Sequence, residues 1–205
     1  MTTTAAWHDL FVPTLMPDAP AGHVRMRADV LPPQVFGSNV RKIARESEWD
    51  RIRLGVSARA GKLCQICGGE SYGPYRKVQH PDCHEIWRFE ERSDGLTQVL
   101  AGLIALCKTC HNTQHIGRAP DLDQVMEVLM GLNGWTREEA RADVQRAFAR
   151  LKLLRDVEIH LDLSLLVGQI VVPSAPDLLF TSADREALGP SWKPSGPATR
   201  RHAST

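Results

Sequence analysis

Long apolar runs are missing from this 205-residue chain. None approaches the ~20 residues that a membrane-crossing helix needs, which excludes a helical membrane protein. An excess of one charge is missing too: 25 Lys and Arg against 24 Asp and Glu leave +1. Affinity for a polyanion would therefore have to rest on local charge. The opening Met-Thr-Thr-Thr-Ala-Ala-Trp-His-Asp lacks the basic and apolar regions of a secretory leader. No internal repeat is present. Cysteine is too scarce, at five, and odd in number for a disulfide scaffold. The expectation is a cytoplasmic protein of one moderate domain with tails.

What is present is concentrated between Cys64 and His115. Cys64-Gln-Ile-Cys67 and Cys107-Lys-Thr-Cys110 are two pairs in knuckle spacing, each able to grip an ion from one turn. Four thiolates close a tetrahedral Zn²⁺ site and leave no position for substrate, so this metal is expected to be structural. The fifth cysteine, Cys83, reads as an ordinary buried residue and not as a metal ligand. Between the pairs lies His84-Glu85, and directly after them come His111 and His115. Four apart on a helix, those two imidazoles share a face and can reach one ion or phosphate.

The rest of the chain frames this stretch. Prolines at 13, 17, 20, 32 and 33 leave residues 1–38 irregular, at most an edge hairpin or arm. Residues 39–60 predict a helix with a Ser47–Asp50 capping box and a stop at Gly61. Its Arg41, Lys42, Arg45, Arg51, Arg53 and Arg59 form either a solvated face or a phosphate-tracking one. Arg76–His80 reads as a short strand, with Glu85–Phe89 returning against it. Leu96–Leu106 reads as a loop or partial helix, and Lys108–Ile116 as a short helix. Asp121 caps a helix closed by Asn133-Gly134, and Thr136 with Glu139 starts another. Glu158–Leu165 alternates as a strand whose wet face carries His160. From Pro173 the composition predicts disorder. The expected organisation is an irregular segment (1–38), a central module (39–118), helices and a strand packed on it (119–172) and a disordered tail (173–205).

Cys64-x-x-Cys67, Cys83-His84-Glu85, Leu106-Cys107-x-x-Cys110-His111 and His115 together resemble the HNH endonuclease family in its zinc-knuckle form. The likeness covers roughly residues 47–118. It implies an α+β protein built on a ββα-metal module, with flanking helices and a C-terminal strand. It further implies hydrolysis of DNA, taken as duplex, with Mg²⁺ or another divalent cation as catalytic cofactor. His84 matches the general base of that family, with a role as metal ligand the alternative; His111 and His115 match its cation ligands. Glu85 is a candidate carboxylate, on the face opposite His84 unless a bulge intervenes. Cys83 stands where the family usually has Asp or His, and Gly102 where it has asparagine. Those two positions motivate a second reading, a non-catalytic zinc-stabilised module that binds DNA or protein.

Overall fold

A computed structural model describes residues 11–118 and 121–188. Along the chain run α1 (Val40–Ile43), α2 (Glu46–Arg59), β1 (Ser71–Tyr72), β2 (Val78–Gln79), β3 (Asp82–Arg92) and β4 (Gly95–Leu106). There follow α3 (Lys108–Thr113), α4 (Leu122–Asn133), α5 (Arg137–Leu154), β5 (Ile159–Asp162), β6 (Leu179–Phe180) and α6 (Ser182–Leu188). The protein is a mixed α+β fold. Its main sheet has the order β3-β4-β5-β6, and β1 and β2 form a separate two-stranded ribbon. No helix among the described residues is long and apolar enough to cross a membrane.

The β3–β4 hairpin is the spine. Its strands pair antiparallel from Asp82↔Leu106 to Arg92↔Gly95, with one register shift opposite Ile86/Trp87 that leaves Ala101 extra. This corrects two sequence expectations. Leu96–Leu106 is not a loop or partial helix but most of the central strand, hydrogen-bonded to β3 on one side and to β5 on the other. A strand covered on both faces needs no apolar–polar alternation, which is why its run of apolar residues gave no strand period. The partner of β3 is therefore β4, and the Val78–Gln79 strand pairs with Ser71–Tyr72 instead.

Two layers cover the sheet. On one side Ile104 and Leu106 meet Val125, Leu129, Ala140 and Val144 of α4 and α5. On the other, Leu100 and Leu161 pack with Val40 and Ile52. Helix starts follow local chemistry. Asp121 accepts from the amides of Asp123 and Gln124, and Thr136 and Glu139 form the expected reciprocal box. At α2 the expected Ser47–Asp50 box does not form. Glu48 accepts from the Arg45 amide, and Asp50 pairs with Arg53.

The proline-rich N-terminal segment belongs to the core and is not an arm. Met26 and Ala28 are fully buried beneath α4 and α5. Asp143 accepts from the Ala28 amide at 2.7 Å, Arg146 donates to the Ala28 carbonyl at 2.7 Å, and Arg150 pairs with Asp29. Asn133 accepts from the Arg25 amide at 2.9 Å and donates to the Met26 carbonyl at 2.8 Å. The segment also pairs with itself, Leu15 against Met26, as a short antiparallel bridge of the hairpin kind, and the side-chain contacts satisfy backbone groups that this bridge leaves over. The segment in turn holds the exit of α3: Gln114 donates to the Arg27 carbonyl, and the Ile116 amide donates to Asp29.

Disorder from Pro173 is also corrected. β6 pairs with β5, and α6 anchors through Arg185, which is buried and donates to Ser38, Gln98 and the carbonyls of Ile159 and His160. Composition missed this because the anchoring contacts lie far away in sequence. Residues 189–205 of the expected tail lie outside the described residues. His160 is not merely solvated: its ring accepts from the Ser182 amide at 2.9 Å and lies 3.0 Å from the Asp94 carbonyl, joining α6 to the hairpin turn.

Candidate metal centres

Cys64, Cys67, Cys107 and Cys110 come together, close enough to hold one metal ion such as zinc. The first pair sits in a tight turn. The Gly68 amide donates to the Cys64 carbonyl at 2.8 Å, and Gly68 takes φ +73°, which glycine adopts without strain. That turn is docked on the end of β4 by Gln65, whose amide and side chain bond the carbonyl and amide of Ala105, each at 2.9 Å. Cys107 caps α3, so hairpin and helix deliver the second pair.

Distances fit the expected ion. Sulfurs on a tetrahedral zinc at ~2.3 Å lie about 3.8 Å apart, and Cys67 Sγ and Cys107 Sγ are separated by 3.8 Å. The amides of Gly69 and Cys110 donate to Cys67 Sγ and Cys107 Sγ, as thiolate ligands require. Crowded sulfurs also split their proton affinities. Hydrogen bonds from Cys107 and Cys110 hold Cys64 well below the usual thiol range, while Cys110, bonded to Cys107 and Cys64, is pushed up. A bound cation would release the shared protons.

The second cluster is nitrogen. His84 of β3 meets His111 of α3 and His115, which lies just beyond that helix; the donor atoms of all three lie within 4.8 Å of one another. Ring centroids are 5.1 Å apart for His84–His111, 5.1 Å for His84–His115 and 4.7 Å for His111–His115. The triangle is thus nearly equilateral. His111 Nε2 and His115 Nε2 are 3.1 Å apart, against the roughly 3.3 Å expected for two nitrogens on one tetrahedral zinc. Burial, reinforced by the other two rings, drives the His84 pKa well below the usual range. His84 is therefore a neutral imidazole with a lone pair near pH 7.

Glu85 is placed elsewhere. Successive strand residues point to opposite faces, and its carboxylate accepts from the Val40 amide at 2.7 Å, tying α1 to β3. Burial raises its pKa to about 7 against the pull of the Val40 and Arg41 amides and Trp87. Cys83 belongs to neither cluster among the described residues. Burial and the Glu85 charge push its thiol up to about 12, so it stays protonated.

Sequence reading missed Asp82. Its Oδ2 lies 2.8 Å from His111 Nδ1, and Lys108 Nζ contacts both its oxygens at 3.0 and 2.8 Å. Burial alone would raise its pKa, but His111 and Lys108 outweigh burial and hold it at about 2. The signal was present in the two-residue strand period, which puts Asp82 on the face of His84.

The imidazoles open onto a cleft of about 920 Å³ along β3, the edge strand of the sheet. Asp82, His84, His111 and His115 line it beside Arg41 and Arg53 from α1 and α2. Imidazole nitrogen donors, a carboxylate behind one of them and nearby guanidinium groups can bind a cation and an anionic ligand together. No protein-family model, curated protein or solved structure matches the chain.

Proposed function

We propose that this protein is a metal-dependent endonuclease of the HNH type, hydrolysing DNA phosphodiester bonds in the β3 cleft. The observation that carries the proposal is the convergence of His84, His111 and His115 beside a hairpin and helix pinned by four cysteines. The hairpin β3–β4 followed by α3 has the order of a ββα-metal module.

In this reading His111 and His115 hold a divalent cation. His84, spaced equally from both, is the third ligand in place of the general base that the resemblance suggests. The cation supplies positive charge against the charge that builds on a phosphate during hydrolysis. Three imidazole nitrogens suit zinc, nickel or cobalt better than Mg²⁺, which prefers oxygen. The surrounding chain does the rest. Burial keeps His84 unprotonated, and Arg41 and Arg53 offer charge to a backbone crossing the cleft. Glu85 lines the same cleft away from the imidazole triangle and anchors α1, which carries Arg41.

Incubating supercoiled plasmid with Mg²⁺, Mn²⁺, Ni²⁺ or Zn²⁺ tests the reading. Nicking above a His84→Ala control is expected with at least one transition metal, and its absence in every metal overturns the proposal. Metal content separates the two roles of His84. A ligand role costs His84→Ala the second equivalent, whereas a variant that keeps the metal but does not nick assigns His84 as the proton acceptor.

A further inference from the structure

We infer that Asp82 is the positioning residue of the imidazole centre: it fixes the tautomer and orientation of His111 so that Nε2 presents its lone pair to a cation. The inference rests on the proposed cation site and adds a residue outside its ligand set. The geometry carries it. Lys108 Nζ donates to both Asp82 oxygens, which marks the carboxylate as the acceptor of this cluster, so at 2.8 Å from Oδ2 the Nδ1 atom of His111 is the donor. With Nδ1 engaged by Asp82, Nε2 is the ring atom left to present a lone pair to a cation, and it is this atom that faces His115 Nε2 at 3.1 Å.

Lys108 is the second part of the device. Its ammonium contacts both carboxylate oxygens, including the one that serves His111. It shares with His111 the charge of one carboxylate, which would otherwise fall on the imidazole alone. Asp82 is one residue from Cys83 and two from His84, so one short strand segment presents both a ligand and the group behind another ligand. A ligating histidine backed by a carboxylate is more basic and less free to rotate; loss of such a partner costs metal affinity roughly 10- to 100-fold.

Two measurements on the intact zinc-loaded chain test this. Long-range ¹H–¹⁵N spectra report imidazole tautomers without any added metal: His111 should carry its proton on Nδ1 in the parent and lose that preference in Asp82→Ala. Titration with Co²⁺, followed by its visible bands, should show binding roughly 10- to 100-fold weaker in Asp82→Ala, with an intermediate loss in Asp82→Asn. Zinc in the cysteine site and cooperative melting serve as the folding control. Should Asp82→Ala fail that control, Asp82→Asn supplies the comparison. Lys108→Ala leaves the carboxylate–imidazole bond in place, so its Co²⁺ affinity should equal or exceed that of the parent. An Nε2–H tautomer in the parent, or Co²⁺ binding within threefold of the parent in Asp82→Asn, overturns the inference. So does a loss in Lys108→Ala as large as in Asp82→Ala. A parent with the Nδ1–H tautomer that takes up no Co²⁺ overturns the cation site itself, and with it the role of Asp82 there.

Discussion

The two clusters are built on opposite plans. The cysteine cluster is made of two local turns, each bringing its own pair of ligands, and needs only one long-range docking, Gln65 on Ala105. The imidazole cluster takes one residue from an edge strand, one from a six-residue helix and one from the turn just beyond it. It depends on where that helix is held, and it faces a cleft. A closed sulfur site suits folding and an open nitrogen site suits chemistry, so damage to each should look different.

The largest effect is expected at the sulfurs. Metal binding by such a site is worth on the order of 10 kcal/mol or more, comparable to the whole stability of a domain. Cys110→Ala or Cys64→Ala should therefore give an insoluble or unfolded chain without metal. A soluble, cooperatively melting Cys110→Ala protein would erase the contrast. At the nitrogens, His111→Ala should keep the metal in the cysteine site and a cooperative melt while losing the second equivalent and the proposed nicking. Loss of both metals together would mean that the two centres are one folding unit.

A sharper probe acts at a distance. Asp143 is buried between Arg27, the Ala28 amide and Arg146, and removing one partner of a buried pair costs about 3 kcal/mol. Because the segment it holds also clamps Gln114 and Ile116, Asp143→Ala should lower thermal stability and loosen the His115 side. Metal retention at the cysteines should be unaffected, as read by metal content and by Co²⁺ titration.

The smallest effect lies at the far end of the sheet and calibrates the others. Hydrogen bonds from Ser164 and the Arg92 partner outweigh burial and depress the Asp162 pKa below the usual carboxylate range. A depressed carboxylate stabilises the fold above its unfolded pKa near 3.8, and that contribution is lost as pH falls through the lower folded value. Asp162→Asn should therefore melt slightly lower at neutral pH. Its melting curve should converge on the parent's below about pH 4, with both metal centres untouched.

How far each region could be read from sequence follows the same division. Each cysteine pair, the Asp121 and Thr136 caps and the His111–His115 pair are local patterns with partners within a few residues, whereas Cys67 and Cys107 meet across 40 positions. The hairpin was misread because β4 is buried on both faces and carries a bulge at Ala101, which removes the two-residue period. The N-terminal segment and residues 179–188 were misread because proline and small polar residues say nothing about distant helices. Asp82 went unnoticed because its meaning depends on a helix 29 positions later.

By itself the sequence determined the ligand types and their short-range spacing, since a turn or a helical repeat needs no distant help to place a pair of side chains. Tertiary structure alone decided that His84 closes a triangle with His111 and His115 and that Asp82 backs one corner of it. Those outcomes depend on the β3–β4 register and on the docking of α3, which arise only when segments far apart in the chain bury their apolar surfaces together.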